Sequence, residues 1–164
     1  MLYINGNMKI ASEEPEIHWP FLNVKDKIVL DLGCGLFYSK ISTADWFVQQ
    51  GAKQVIGVDL GNDTPKHFTY HQIAISSTID ILDLLNKYNP DVIKCDIEGA
   101  ERHFKDVSAV DMESVKQFAV EYHDNDLKLL MEQKIKEWGF ENSETYQLFD
   151  EDINRIGVIY AYKL

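Results

Sequence analysis

The chain has 164 residues, 45% of them hydrophobic and 26% charged, which is enough apolar material for one core and too little length for two ordinary domains. Its formal net charge of -11 repels phosphate backbones, and no cluster of Lys and Arg offers a local exception, so a nucleic-acid partner is disfavoured. There is no apolar run of about eighteen residues, and the Met1–Gly6 start lacks the basic and apolar segments of a signal peptide, so a soluble, cytoplasmic protein is expected, with no membrane partner. Cys34 and Cys95 stand far apart without CxxC or Cys/His ligand spacing; they read as reduced, buried thiols, and no metal site is expected. The sequence carries no signal for oligomeric state.

Residues 1–26 read as an extended or short-hairpin lead-in, in which His18-Trp19-Pro20-Phe21 is an aromatic patch that packs beneath the terminus or covers a ligand. Lys27–Asp31 is the first buried strand. Leu36–Gln50 reads as a helix, with Ile41, Ala44, Trp46, Phe47 and Val48 on its apolar face and Gly51 at its end. Gln54–Asp59 is the second strand, and Phe68–Ile75 alternates as a third. Ser77 or Thr78 caps a helix whose Ile79, Leu82 and Leu85 keep helical spacing as far as the Asn89-Pro90 stop. Asp91–Asp96 and Val115–Tyr122 are the fourth and fifth strands, and Leu127–Trp138 is a further helix closed by Gly139. Thr145–Phe149 and Ile156–Tyr162, joined by the acidic turn Asp150-Glu151-Asp152, predict an antiparallel hairpin at a sheet edge. This alternation predicts an α/β fold: a mostly parallel, doubly wound sheet with helices on both faces, in three α/β/α layers.

Asp31-Leu32-Gly33-Cys34-Gly35 falls where the first strand hands over to the first helix. Gly33 and Gly35 let backbone approach a ligand without a Cβ in the way, and the turn aims helix N-terminal amides at it. In a dinucleotide site such a turn receives a pyrophosphate and continues to a third Gly or Ala. Tyr38 occupies that place here, which argues against tight dinucleotide binding; a cofactor without phosphate needs no such approach. Asp59, ending the second strand, can accept both hydroxyls of a ribose, which suits NAD and S-adenosylmethionine alike. A lone GxG is also an ordinary tight turn, whereas strand, GxG, helix, strand and acid in that order make a stronger pattern.

Val29-Leu30-Asp31-Leu32-Gly33-Cys34-Gly35 followed by Gly57-Val58-Asp59 resembles the cofactor half of class I S-adenosylmethionine-dependent methyltransferases. The resemblance implies a Rossmann-like fold with S-adenosylmethionine as cofactor. It also implies that Asp31 contacts the methionine end directly or through water, that Gly33 and Gly35 pass beneath the cofactor, and that Asp59 holds the ribose. The family's common third glycine is Phe37 here. On this reading 1–164 is a single methyltransferase-like domain, with a cofactor half at 27–75 and a second half carrying the transfer site at 91–164.

Lys94-Cys95-Asp96-Ile97-Glu98-Gly99-Ala100-Glu101 puts charge into what ought to be a buried strand and just beyond it. Period-two geometry sends Lys94, Asp96 and Glu98 to one side, and unpaired charges there are costly. The fifth strand offers Glu121 and His123 at the same alternation; parallel neighbours would bring Lys94 to Glu121, and Asp96 to His123 at the carboxyl edge where ligands of open sheets bind. The stretch is similar to the K-x-D-x-E-G-A-E signature of FkbM-type methyltransferases, and the likeness runs over about residues 28–140. That resemblance implies O-methylation of a small-molecule or glycan hydroxyl. Methyl transfer is an in-line displacement, and an alcohol acceptor must also lose its proton. His123, the type of side chain that ordinarily titrates nearest neutrality, is read as the base and Asp96 as its partner; Asp96 itself or Glu98 competes for the role.

Lys94 and Glu121 read as a structural polar pair, Glu101 as an acid in a helix's first turn, and His67, His71 and His103 as ordinary. A catalytically inactive cofactor-binding or scaffold protein on the same fold is the competing reading, motivated by the short chain and by Phe37. A nucleotide-dependent oxidoreductase is opposed by Tyr38 and the Lys94–Glu101 stretch.

Overall fold

The computed structural model describes residues 2–4, 7–10, 18–35, 41–61, 65, 67–148 and 156–164. The N-terminal hairpin comprises β1 (Leu2–Ile4) and β2 (Asn7–Ile10). It is followed by β3 (Ile28–Leu32), α1 (Thr43–Gln49), β4 (Gln54–Asp59), β5 (Thr69–Gln72), α2 (Thr78–Tyr88), β6 (Val92–Cys95), a 3-10 helix (Ala100–Asp106), β7 (Gln117–Tyr122), α3 (Asn125–Glu137), β8 (Asn142–Leu148) and β9 (Gly157–Tyr162). The strands join one sheet in the order β1-β2-β8-β9-β7-β6-β3-β4-β5.

The five strands from β7 to β5 in that order are parallel, and β9 runs antiparallel between β7 and β8. The expected C-terminal antiparallel hairpin is therefore present. The lead-in hairpin is present too, and β2 pairs with β8 beyond it. The chain passes from β3 outward to β5, returns to β6 beside β3, and then builds in the other direction. The β3/β6 boundary is thus a topological switch point, and its crevice at the carboxyl ends of the strands is where an open α/β sheet takes a ligand.

Period-two alternation on buried strands divides the core between the faces. Leu30 and Leu32 of β3 join Ile56, Ile93 and Phe118 beneath Ile81 and Leu84 of α2, Phe104 of the 3-10 helix and Met131 of α3. Val29 and Val92 face the other way, against Ala44 and Phe47 of α1 and Trp19, Leu22 and Val24 of the N-terminal segment. Each fully buried aliphatic or aromatic side chain stabilises by about 1.5–3 kcal/mol, which is why β3, β6 and β7, buried on both faces, form the centre of the sheet.

The first helix differs from expectation. Ser42, extended at φ -66 and ψ 154, caps α1 by accepting the Asp45 amide, so Ile41 and Ser42 precede the helix that starts at Thr43; residues 36–40 of the expected helix lie outside the described residues. Phe37 and Tyr38 lie outside the described residues. The third strand is shorter than its alternation, and the helix before β8 starts two residues earlier, where Asp124 caps it through the Leu127 amide.

The expected Ser77 cap of α2 is a full capping box. Asp80 accepts the amides of Ser76 and Ser77 at 2.9 Å each, and the Ser76 amide is the main reason its carboxyl sits below the ordinary carboxylate range. A carboxyl depressed by folding contributes stability that is present above its unfolded pKa and is lost as pH falls through its folded one. Asp80→Asn should lower stability at pH 7 by about 1 kcal/mol or less, and the gap to the native chain should close as pH falls through the depressed folded pKa of Asp80. Urea unfolding across pH checks this; a gap that persists unchanged in acid contradicts it.

Candidate functional site

The glycine turn and the Lys94–Glu101 stretch meet at the switch point. After β3 the Gly33 and Cys34 amides donate to the Val58 carbonyl of β4, while the Asp96 amide donates to Leu32. Gly33 has φ +80, and a Cβ there would lie 1.6 Å from the Asp96 carbonyl oxygen. Glycine is required at this position both by the left-handed backbone and by the close approach of another chain segment.

Beneath this turn lies a buried ion pair. The parallel register sets Lys94 beside Asp31, and its ammonium lies 3.3 Å from Asp31 Oδ1, 3.9 Å from Asp96 and 2.5 Å from the Gly33 carbonyl it donates to. Thr43, the first residue of α1, donates its hydroxyl to the other Asp31 oxygen, and the Trp19 ring sits 5.2 Å from the ammonium. Lys94 is 1% exposed and Asp31 0%. Burial disfavours the cation, but the Asp31 and Asp96 carboxylates outweigh it and hold the Lys94 pKa above its ordinary value.

This corrects the expected Lys94–Glu121 pairing. Lys94 stands opposite Ala119 in β7, and β3, not β7, supplies its counter-ion. Glu121 instead accepts from His18 at 2.9 Å. Asp31 lies fully buried below the turn, where it anchors Lys94 and Thr43.

Above the ion pair opens a cavity of about 530 Å³ lined by Gly33, Gly35, Asp59, Asp96, Glu98 and Trp19, among others. The volume falls in the ordinary range for small-ligand sites, about 300–1,000 Å³. Asp59 is half-buried at the end of β4; its Oδ1 accepts the Gly61 amide at 2.9 Å, leaving Oδ2 without a hydrogen bond among the described residues. Leu60, Ile73 and Ile75 add apolar wall on that side, Ile97 and Ala100 on the other. Of the aromatic patch, His18 and Trp19 line the cavity and Phe21 stacks on Tyr146.

Past β6 the chain turns sharply, with Glu98 at φ 56 and Gly99 at φ 97. Glu101 holds this turn. Fully buried, it accepts the Ile97 and Gly99 amides at 2.7 Å, one on each carboxylate oxygen. Burial pushes its carboxyl up, against the pull of those amides and of His123. It sits in the first turn of the 3-10 helix as expected and in addition clamps the turn that carries Asp96 and Glu98, a role whose only sequence signal was an acid three residues beyond another in the same motif.

The expected site residues past β6 and β7 do converge. His123 Nε2 lies 3.5 Å from Glu98, 3.5 Å from Glu121 and 4.0 Å from Asp96. Asp96, Glu98 and His123 each offer one ligand atom within 4.8 Å of the others, a donor set that sequence spacing did not suggest. Of the other histidines, His71 pairs with the Tyr88 hydroxyl at 2.5 Å, away from the cavity. No helix among the described residues is long and apolar enough to cross a membrane.

No protein-family model matches the chain, and no curated protein matches it. Solved structures do. The methyltransferase MycE of the mycinamycin biosynthetic pathway, determined with Mg and SAH, aligns with a TM-score of 0.59 at 13% identity over 90% of this chain and 44% of its own. A precorrin-6y C5,15-methyltransferase from Geobacter metallireducens gives 0.53 at 12% identity, over 85% and 82%. A protein from Plasmodium falciparum assigned as a ribosomal RNA methyltransferase gives 0.56 at 15%, over 89% and 91%.

The buried pair makes a direct test of this architecture. Lys94→Met leaves Asp31 as an uncompensated buried charge and should cost about 3–5 kcal/mol. Adding Asp31→Asn, which keeps an acceptor for Thr43, should recover most of the loss. Denaturant unfolding at pH 7 reads both; a native midpoint for Lys94→Met alone would show that the pair is not needed.

With its sheet order, its switch-point crevice and these structural matches, the chain has the Rossmann-like fold of S-adenosylmethionine-dependent methyltransferases.

Proposed function

We propose that the protein is an S-adenosylmethionine-dependent methyltransferase acting on a hydroxyl of a small molecule or sugar. The observation that carries this reading is a single cavity lined by the glycine turn, Asp59, Asp96 and Glu98, with His123 beside the last two.

The residues fit this cofactor in particular ways. Asp59 has a carboxylate oxygen left, among the described residues, to accept from ribose hydroxyls, and Leu60, Ile75 and Ile97 add apolar lining on which an adenine ring can pack. S-adenosylmethionine, with no phosphate and a positively charged sulfonium, suits an acidic cavity in which Lys94 is already neutralised by Asp31.

When bound, the cofactor supplies an electrophilic methyl group. The protein's share is to hold the acceptor in line, exclude water and deal with the hydroxyl proton. Gly33 and Gly35 bring backbone to the cofactor, Lys94 and Asp31 fix the turn below it, and Asp96, Glu98 and His123 face the acceptor. A small neutral or cationic acceptor is favoured over a polyanion by the net charge of -11.

Calorimetry with S-adenosylmethionine and S-adenosylhomocysteine tests the cofactor. Binding is expected, and Asp59→Ala should weaken it about 10- to 100-fold, as for loss of charge-assisted hydrogen bonds worth about 1.5–3 kcal/mol. Absence of binding at about 1 mM ligand sinks the reading, and unchanged affinity in Asp59→Ala removes the ribose role. Binding without methyl transfer to any hydroxyl acceptor in a broad panel would favour the catalytically inactive alternative.

A further inference from the structure

We infer that Asp96, Glu98 and His123 form a divalent-cation site on the acceptor rim of the cavity. Charge is the first argument. Three carboxylates, Asp96, Glu98 and Glu121, converge on one imidazole nitrogen. Lys94 is 3.9 Å from Asp96 but stands closer to Asp31, its own buried counter-ion, and His18 pairs with the far oxygen of Glu121. Negative charge at this point exceeds what the fixed cations offset, and like charges this close repel strongly in a partly buried setting.

Geometry is the second, independent argument. His123 makes no hydrogen bond among the described residues: its Nδ1 is buried without a partner, and its Nε2 stands 3.5–4.0 Å from the carboxylate oxygens, too far for hydrogen bonds. Two ligands about 2.1 Å from a common ion lie about 3.0 Å apart when adjacent and about 4.2 Å apart when opposed. The Nε2 spacings to Glu98 and Asp96 fall in that interval. Glu98, whose side chain is 85% exposed, needs only a small rotation to bring the whole set within it.

The ligands are also rigidly presented. Asp96 follows directly on β6, and its amide is tied to Leu32; Glu98 is aimed by the turn that Glu101 clamps; His123 follows directly on β7. Carboxylates with a single imidazole suit Mn²⁺, Mg²⁺ or Zn²⁺ and leave coordination positions toward the cavity. A cation there would orient an acceptor hydroxyl and make it more acidic. His123 would then act as a ligand, and the proton of the acidified hydroxyl would pass to solvent water at the cavity mouth. This role, unlike the site itself, rests on the methyltransferase reading.

The probe is Mn²⁺ on the chelator-treated full chain, followed by calorimetry and by paramagnetic broadening of the histidine ring protons. Saturable binding of one ion per chain is expected, with His123 broadened most, and Glu98→Gln and His123→Gln should each weaken binding about tenfold or more. Glu98 is exposed, so its variant tests the site even if His123→Gln fails to fold. No saturable binding of Mn²⁺ or Zn²⁺ at about 1 mM, or binding indifferent to Glu98→Gln, overturns the site. Parallel titration with S-adenosylhomocysteine separates the two claims: a cation bound without the nucleoside upholds the site and counts against the enzyme, and the converse overturns the site alone.

Discussion

Lys94 carries an ammonium into the middle of a parallel sheet, at the boundary where the chain reverses its direction of growth, and the surroundings are arranged to keep it there. Its charge is met by Asp31 from the neighbouring strand, its remaining donor capacity by the Gly33 carbonyl, and its stem and head by the Trp19 ring. A cation at this depth is tolerable only with such a full set of partners. Each partner belongs to a different part of the site: Asp31 to the strand before the glycine turn, Gly33 to the turn, Trp19 to the N-terminal segment that walls the cavity. Thr43 extends the network to the start of α1. One buried pair therefore ties β3, β6, α1 and the lead-in into a floor for the ligand crevice.

A second constraint joins that floor to the acceptor rim. Gly33 and the Asp96 carbonyl are packed so closely that no side chain fits between them, and Glu101 draws the following turn inward through two backbone amides. The glycine turn and the Asp96-Glu98 turn are consequently held against each other at the switch point.

The charge pattern follows the same division. Positive charge is held below the cavity and neutralised there, while carboxylates line its mouth. An acidic mouth favours a cationic ligand, and both S-adenosylmethionine and a divalent ion are cations. The structural matches are to methyltransferases at 12–15% identity, which speaks to the shared fold alone.

Much of the fold was legible from residue order alone. Apolar runs, glycine and proline stops and Ser77 or Asn89 caps act over a few residues, so β3, β4, β6, β7, the α2 helix and the C-terminal hairpin could be read from local chemistry. Gly33, Gly35 and Asp59 at one cavity and the approach of Asp96 to His123 were likewise legible, because strand period and parallel pairing constrain them. What local chemistry leaves open is which neighbour a strand acquires on each side. Lys94 could pair toward β7 or toward β3, and only the sheet order and register set it against Asp31. The same holds for Glu101, whose amide partners exist only once the Glu98-Gly99 backbone turns left-handed. Periodicity and capping are short-range and therefore written in the sequence; the partners of a buried charge are long-range, and the tertiary structure alone assigns them.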